Sequence, residues 1–231
     1  MVTEIADNIG RVRERIAAAS RRAGRAPEDI RLIAITKTVP AERIREAYEA
    51  GLRDFGENRV QEAAAKRPAL SDLTATWHLV GHLQSNKAKP ARELFHWFHS
   101  LDSMRLGERL NKVAPCSGDK LSVLIEVNLG GEESKSGVHE SDVLPLAEAA
   151  GSFETLEIRG LMAVPPFFDD PGQVRPYFRR LRELATEIAT KNLPRVAMQE
   201  LSMGMSHDFE VAIEEGATMV RVGTAIFGAR S

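Results

Sequence analysis

The run Leu32-Ile33-Ala34-Ile35-Thr36-Lys37 decides the fold, and Thr38-Val39-Pro40 follows it directly. Its apolar residues are contiguous, which is typical of a strand that is buried on both faces. The segment Ala41–Ala50 then has helical spacing and ends before Gly51, the residue type that often terminates a helix. A doubly buried strand followed by a helix is the repeating unit of a parallel sheet.

The same strand-and-helix unit recurs along the whole chain. Short apolar runs predict eight strands, at Leu32–Lys37, Asp54–Asn58, Trp77–Gly81, Trp97–Leu101, Leu121–Leu129, Leu156–Val164, Glu200–Met203 and Thr218–Thr224. Amphipathic segments predict helices between them, and Thr3–Arg22 predicts one more before the first strand. The pattern therefore predicts an α/β protein with a single (β/α)8 TIM-type barrel and an extra N-terminal helix.

An open doubly wound sheet is the alternative to the closed barrel. Such sheets carry a Gly-x-Gly-x-x-Gly turn after an early strand when they bind dinucleotides, and no such turn occurs here. The sequence also lacks a linker, a low-complexity tract or an internal repeat. We therefore expect one barrel domain over residues 1–231.

The composition excludes several classes of function. Lys and Arg number 31 against 33 Asp and Glu, which gives no basic surface for nucleic acid or anionic membranes. No stretch approaches 18 apolar residues, and no signal peptide precedes Thr3–Arg22. The one cysteine, Cys116, fits a reducing compartment. We expect a cytoplasmic protein without nucleic-acid or membrane partners.

Lys37 places an amine at the end of a buried strand. Desolvation lowers the pKa of a lysine, and the neutral amine is a nucleophile for aldehydes. The simpler alternative is a lysine whose head group reaches solvent past the strand end. Lys37 alone does not decide between the two.

A possible phosphate site lies near the other end of the sequence. Barrels often bind phosphate in the loops after strands 7 and 8, where Ser202, Gly204 and Ser206 would face Gly223 and Thr224. Glycine allows close approach of the backbone to an anion. The alternative is that both glycines only form turns. A nucleophilic lysine together with a phosphate site predicts pyridoxal 5′-phosphate (PLP) as the cofactor.

Other polar residues at predicted strand ends are weaker candidates. Arg221, inside the eighth strand, needs a partner, which is either an interior carboxylate or the ring nitrogen or phosphate of the cofactor. His82 is either a pocket residue or a structural histidine. The spacing of His78 and His82 does not make a metal site, because no cluster of Cys, His or carboxylates completes it.

The sequence resembles the YggS/PROSC family of pyridoxal phosphate homeostasis proteins. The motifs that carry the resemblance run the length of the chain: Leu32–Pro40, Phe55–Glu62, Trp77–Lys87, Gly160–Val164, Leu201–Phe209 and Val220–Gly228. The resemblance implies a barrel like the N-terminal domain of bacterial alanine racemase, with PLP bound as a Schiff base on Lys37. It implies a role in PLP and amino-acid homeostasis without established catalysis. The cofactor-binding residues that we expect are Lys37, Asn58, His82, Met162, Ser202, Met203, Ser206, Arg221, Gly223 and Thr224.

The alternative function is a PLP-dependent amino-acid racemase. Racemisation uses a base on each face of the α-carbon, and racemases of this fold take a tyrosine from a further domain of a partner subunit. This sequence ends seven residues after Thr224, and its only tyrosines, Tyr48 and Tyr177, lie in predicted helices. We therefore expect a monomeric, non-enzymatic PLP carrier whose partners are PLP and the apo-enzymes that receive it.

Overall fold

The computed structural model describes residues 3–113, 120–131 and 136–228, so Cys116 lies outside the described residues. Its strands are β1 Arg31–Ile35, β2 Asp54–Glu57, β3 Thr76–Leu79, β4 Trp97–Leu101, β5 Leu121–Glu126, β6 Leu156–Met162, β7 Val196–Ser202 and β8 Met219–Val222. Its α-helices are α1 Glu4–Arg22, α2 Ala41–Glu49, α3 Val60–Lys66, α4 Ala88–Leu94, α5 Met104–Lys112, α6 Glu140–Ala150, α7 Arg175–Ala189, α8 Phe209–Glu214 and α9 Thr224–Phe227.

The eight strands form one closed parallel barrel in the order of the sequence. Closure is made between β1 and β8, where Ile33 pairs with Arg221 and Ala34 with Val222. The predicted (β/α)8 barrel and its extra N-terminal helix are confirmed, and the open-sheet alternative is wrong. The polar residues that follow the strands therefore share the C-terminal face of the barrel.

The apolar core has two parts. The larger part lies between the strands and the surrounding helices and is fully buried at residues such as Phe55, Trp77 and Phe178. The smaller part, inside the barrel, consists of Ile33, Leu124, Met162 and Met219. This inner group is small because several inward-facing side chains are polar.

Helix α1 packs beside the helices that follow β7 and β8. Thr3 caps its first turn, and the buried residues Ile5, Ile9, Val12 and Ile16 recur at helical spacing. Asn8 Nδ2 donates a 2.9 Å hydrogen bond to the carbonyl oxygen of Ile226 in α9. The extra helix therefore supports the segment that ends the barrel.

Several predicted boundaries are wrong. Strand β7 begins at Val196 and not at Glu200, because residues 196–200 are half-buried or exposed and form no apolar run. Thr224 begins helix α9 and does not extend a strand. Strands β5 and β6 end at Glu126 and Met162, earlier than expected. Strand β1 ends at Ile35, so Lys37 lies in the turn that follows.

Candidate functional site

A cleft of about 510 Å³ opens on the C-terminal face of the barrel, between the segments that follow β1, β7 and β8. Five of the predicted cofactor-binding residues line it: Lys37, Ser206, Arg221, Gly223 and Thr224. Apolar side chains form much of the remaining wall, among them Ile35, Val39, Phe167, Met205 and Phe227. Phe167 is 74% exposed, and its ring lies against that of His207, with 5.2 Å between the ring centroids.

Lys37 lies two residues beyond β1, in the turn that connects β1 to α2. The next residue, Thr38, has a φ of +64°, in the left-handed region that residues other than glycine seldom adopt. The turn is thus held in one conformation by its surroundings. Side chains of α3 supply much of that support, since Glu62 accepts the backbone N–H of Thr38 and Lys66 donates to the carbonyl of Thr36.

Two backbone N–H groups converge in the segment that follows β8, the strand that pairs with β1. The amides of Gly223 and Ala225 both donate to Ser206 Oγ, at 3.3 and 3.4 Å. Gly204, with a φ of +90°, lets the loop after β7 turn toward them, and a Cβ there would lie 2.6 Å from that of Ala212. These amides already converge on an oxygen atom, which is the arrangement that an oxyanion requires.

Arg221 places a buried cation on the floor of the cleft. Its guanidinium donates to the Ser202 carbonyl at 2.7 Å, to Ser202 Oγ at 2.6 Å and to the Ala163 carbonyl at 2.9 Å. Burial lowers the pKa of Arg221 to about 10, while Glu126 and Asp208 act in the opposite direction. The side chain remains a cation at neutral pH.

A chain of hydrogen bonds runs from Arg221 through the barrel interior. Ser202 Oγ contacts His99 Nδ1 at 2.9 Å, His99 Nε2 contacts His78 Nδ1 at 3.0 Å, and His78 Nε2 contacts Asp54 Oδ1 at 3.0 Å. Arg221 can only donate and an ionised Asp54 can only accept, so every bond donates in the same direction, from Arg221 to Asp54.

His78 and His99, the two histidines in this series of hydrogen bonds, are neutral. Each is fully buried, and that burial lowers the pKa of His78 and lowers the pKa of His99 well below the usual range. His99 was not among the predicted site residues. His99 lies two residues from Trp97 and from Leu101, which share its face in a regular strand. A polar residue on such an apolar face needs a partner, and that was the available signal.

Glu126 ends β5 beside this site and was also missed. It is 8% exposed, and its Oε2 atom is buried without a hydrogen bond among the described residues. Burial raises its pKa to about 7, and the neighbouring Asp102 acts in the same direction. A carboxylate at the end of an otherwise apolar strand was the signal in the sequence.

The remaining predicted residues do not line the cleft. Asn58 and His82 face a neighbouring cleft, also of about 510 Å³, together with Arg59, Gln84 and Lys87. His82 Nδ1 lies 2.8 Å from Asp102. Met162, Ser202 and Met203 are fully buried and line neither cleft. Ser202 differs most from its expected role, because its hydroxyl is engaged by His99 and Arg221.

Within residues 3–113, 120–131 and 136–228, no group of three His, Cys, Asp or Glu side chains could hold a metal ion. Among these same residues, no helix is long and apolar enough to cross a membrane.

The sequence profile described as "Alanine racemase, N-terminal domain" matches residues 8–231. Two similar proteins are each named "Pyridoxal phosphate homeostasis protein". The one from Pseudomonas aeruginosa is 46% identical, over 99% of this chain and 97% of its own length. The one from Aquifex aeolicus is 48% identical, over 97% of each chain.

Solved structures give the same result. PipY of Synechococcus elongatus, solved with PLP bound, has a TM-score of 0.85 and 40% identity, over 97% of this chain and all of its own. An alanine racemase of Clostridium difficile shares the fold, with a TM-score of 0.73 at 14% identity, over 98% of this chain and 56% of the racemase. The chain therefore belongs to the family of pyridoxal phosphate homeostasis proteins, built on the barrel of the alanine racemase N-terminal domain.

Proposed function

We propose that this protein binds PLP in the cleft between β1, β7 and β8, with Lys37 bonded to the aldehyde carbon. The observation that carries the proposal is that one cleft brings a lysine together with two convergent backbone amides and a buried arginine. PipY, 40% identical to this chain, is solved with PLP bound, which supports PLP as the ligand.

The cleft fits each part of the cofactor. The amides of Gly223 and Ala225, with Ser206 and Thr224, suit the phosphate, because backbone N–H groups and hydroxyls donate to anionic oxygens. Phe167 and Met205 offer apolar surface for the ring. Asn58, His82, Met162, Ser202 and Met203 stay predicted contacts, and in this proposal Ser202 acts through Arg221.

PLP supplies an electrophilic aldehyde and a ring that withdraws electrons. The residues around it limit how strongly that ring can act. Arg221 is a cation with three acceptors from the protein, so it favours an unprotonated ring nitrogen or the phosphate and disfavours a further positive charge. Lys37 is the nucleophile, and its bond to the aldehyde carbon forms with loss of one water molecule.

We infer a role in holding and releasing PLP without catalytic turnover. The names of the relatives describe homeostasis. The ring of Tyr48, on α2, lies against the guanidinium of Arg53, and that of Tyr177, on α7, packs beside Phe168. Neither tyrosine lines the cleft. The recipients in this proposal are PLP-dependent apo-enzymes. A monomeric state and a cytoplasmic location stay predictions.

A racemase is the second candidate, and one observation favours it. The fold is shared with alanine racemase, in which the same barrel is part of an enzyme. The fold alone does not carry the activity, because one barrel supports many chemistries.

The binding proposal is tested by loading wild type and Lys37→Ala with PLP, reducing both with borohydride and locating the label by mass spectrometry. We expect one label per chain on the Lys37 peptide of wild type and a loss of the visible absorption band in Lys37→Ala. Lys191→Arg is the matched control, since it keeps the charge of an exposed lysine that follows α7 and lines neither cleft. Stoichiometric labelling of Lys37→Ala would contradict the assignment.

A further inference from the structure

An ion cluster that the proposed function does not use lies behind the Lys37 turn. Lys66 Nζ, on α3, donates to Glu57 Oε1 at 2.9 Å, to Glu62 Oε1 at 2.6 Å and to the Thr36 carbonyl at 2.7 Å. These three acceptors use all three ammonium protons. We call Glu57, Glu62 and Lys66 the α3 brace.

The α3 brace holds the peptide groups on both sides of Lys37. On the preceding side, Lys66 binds the carbonyl of Thr36, and the Thr36 hydroxyl donates to Glu57 Oε1 at 2.7 Å. On the following side, the backbone N–H of Thr38 donates to Glu62 Oε1. Lys37 is therefore the residue between two anchored neighbours.

The backbone at this point needs such support. Thr38 has its φ at +64°, a left-handed conformation that is unfavourable for a residue with a Cβ. A strained residue persists only where the surrounding contacts determine it. The hydrogen bond from Thr38 to Glu62 is one of those contacts.

The burial of the cluster makes its geometry fixed. The side chain of Glu57 is fully buried, that of Lys66 is 13% exposed and that of Glu62 is 25% exposed. Buried ion pairs add little net stability, because desolvation offsets their attraction. Their contribution is to orientation, and here the oriented element is the turn that carries Lys37.

We infer that the α3 brace positions Lys37 for covalent capture of the PLP aldehyde, so that Glu62 and Lys66 are positioning residues for a ligand that they do not line. This inference rests on the proposed function. The inference assigns phosphate binding and orientation of the lysine to different parts of the protein. The loops after β7 and β8 hold the phosphate, and the α3 brace aims the nucleophile.

The test compares Glu62→Ala with wild type in two measurements. The first is the rate constant with which the visible band appears after mixing with PLP. The second is the Kd for pyridoxine 5′-phosphate, which has the ring and phosphate but no aldehyde. We expect capture to slow about tenfold to a hundredfold, as the loss of one charge-assisted hydrogen bond implies, and the Kd to stay within about twofold.

Two further variants complete the test. Asp72→Ala is the matched control, because it removes the carboxylate of the exposed Arg45–Asp72 ion pair on the outer surface, and it should change neither measurement. Glu62→Gln keeps an acceptor for the Thr38 amide and should restore most of the capture rate. If thermal unfolding shows that Glu62→Ala does not fold, Glu62→Leu takes its place, because it removes the acceptor of the Thr38 amide and keeps most of the side-chain volume.

Each outcome decides one proposal. Slow capture with an unchanged Kd for pyridoxine 5′-phosphate supports positioning by the brace. Unchanged capture in Glu62→Ala, or an equal loss in both measurements, overturns it. If wild type loads PLP on a lysine other than Lys37, the proposed function fails, whatever Glu62→Ala does.

Discussion

Glu126 shows at the scale of one residue how burial sets a protonation state. Its Oε2 atom is buried without a hydrogen bond in the described part of the chain, and the nearest compensating charge, Arg221, is already bound by three other acceptors. An ionised carboxylate is therefore poorly stabilised there. The raised pKa, about 7, follows from this desolvation.

We expect Glu126→Gln to change how stability depends on pH. The folded protein keeps the Glu126 proton up to about pH 7, whereas the unfolded chain releases it near the usual value of 4.5. The folded state therefore binds more protons between these values, and this group's contribution to stability falls as pH rises through that window. The free energy of unfolding of Glu126→Gln minus that of wild type should therefore be about 3 kcal/mol larger at pH 8 than at pH 4.5.

Urea unfolding of both proteins at several pH values measures this difference. His78 and His99 change stability with pH in the opposite direction to Glu126. Their pKa values are lowered in the folded state, so the unfolded chain takes up protons first as pH falls below 6.5, and the free energy of unfolding falls. They are present in both proteins, so their effect cancels in the comparison. A difference that is independent of pH would show that Glu126 ionises normally.

At this scale the sequence predicts residues whose chemistry is unusual where they stand. Lys37 and Arg221 are charged residues beside buried strands, and both line the cleft. Glu62 was not predicted, because a glutamate on a helix is ordinary until the structure shows the Thr38 amide beside it. Such contacts depend on side-chain directions that spacing alone does not give.

Among the elements, β6 and β7 depend on a glycine. Their pairing shifts between Ile158 and Gly160, which is the signature of a β-bulge. A Cβ at Gly160 would lie 1.8 Å from the carbonyl oxygen of Glu200, an atom of the neighbouring backbone. No side-chain movement relieves that overlap, so the two strands approach this closely only with glycine there.

Gly160→Ala should therefore destabilise the barrel by about 3 kcal/mol or more, since the backbone must move to admit one methyl group. Gly10→Ala is the matched control. Gly10 lies on the exposed side of α1 with no atom within 4 Å of an added Cβ, and the same change should stabilise by about 0.5–1 kcal/mol. Chemical denaturation measures both, and a loss below about 1 kcal/mol for Gly160→Ala would contradict the close approach.

The elements that were predicted correctly are those with a clear apolar period. Strand β1 and helix α1 are examples, with burial that follows the sequence pattern. The first half of β7 lacked such a period, because its residues are only partly covered. Helix α9 has four residues, too few to show any period, and its existence depends on packing against α1.

For the molecule as a whole, the carrier and the racemase differ in whether the barrel removes the α-proton of an amino acid. We expect no appreciable exchange, because neither tyrosine lines the cleft and because, in the proposed binding mode, the Arg221 cation disfavours a further positive charge on the ring. Incubating the PLP-loaded wild type with several amino acids in deuterated water, with Lys37→Ala as the control, measures exchange by proton NMR. Rapid exchange that requires Lys37 would restore the racemase.

The contact between α1 and α9 has a consequence for the time at which the site forms during translation. The ribosome synthesises α1 and the Lys37 turn before the Gly223 loop and α9. At the usual speed of synthesis, about 5–20 residues per second, the Gly223 loop is made roughly ten to forty seconds after Lys37. Since β8 must also pair with β1, the cleft is incomplete until α9 has been made and has docked against α1, so we expect PLP to load only after that step.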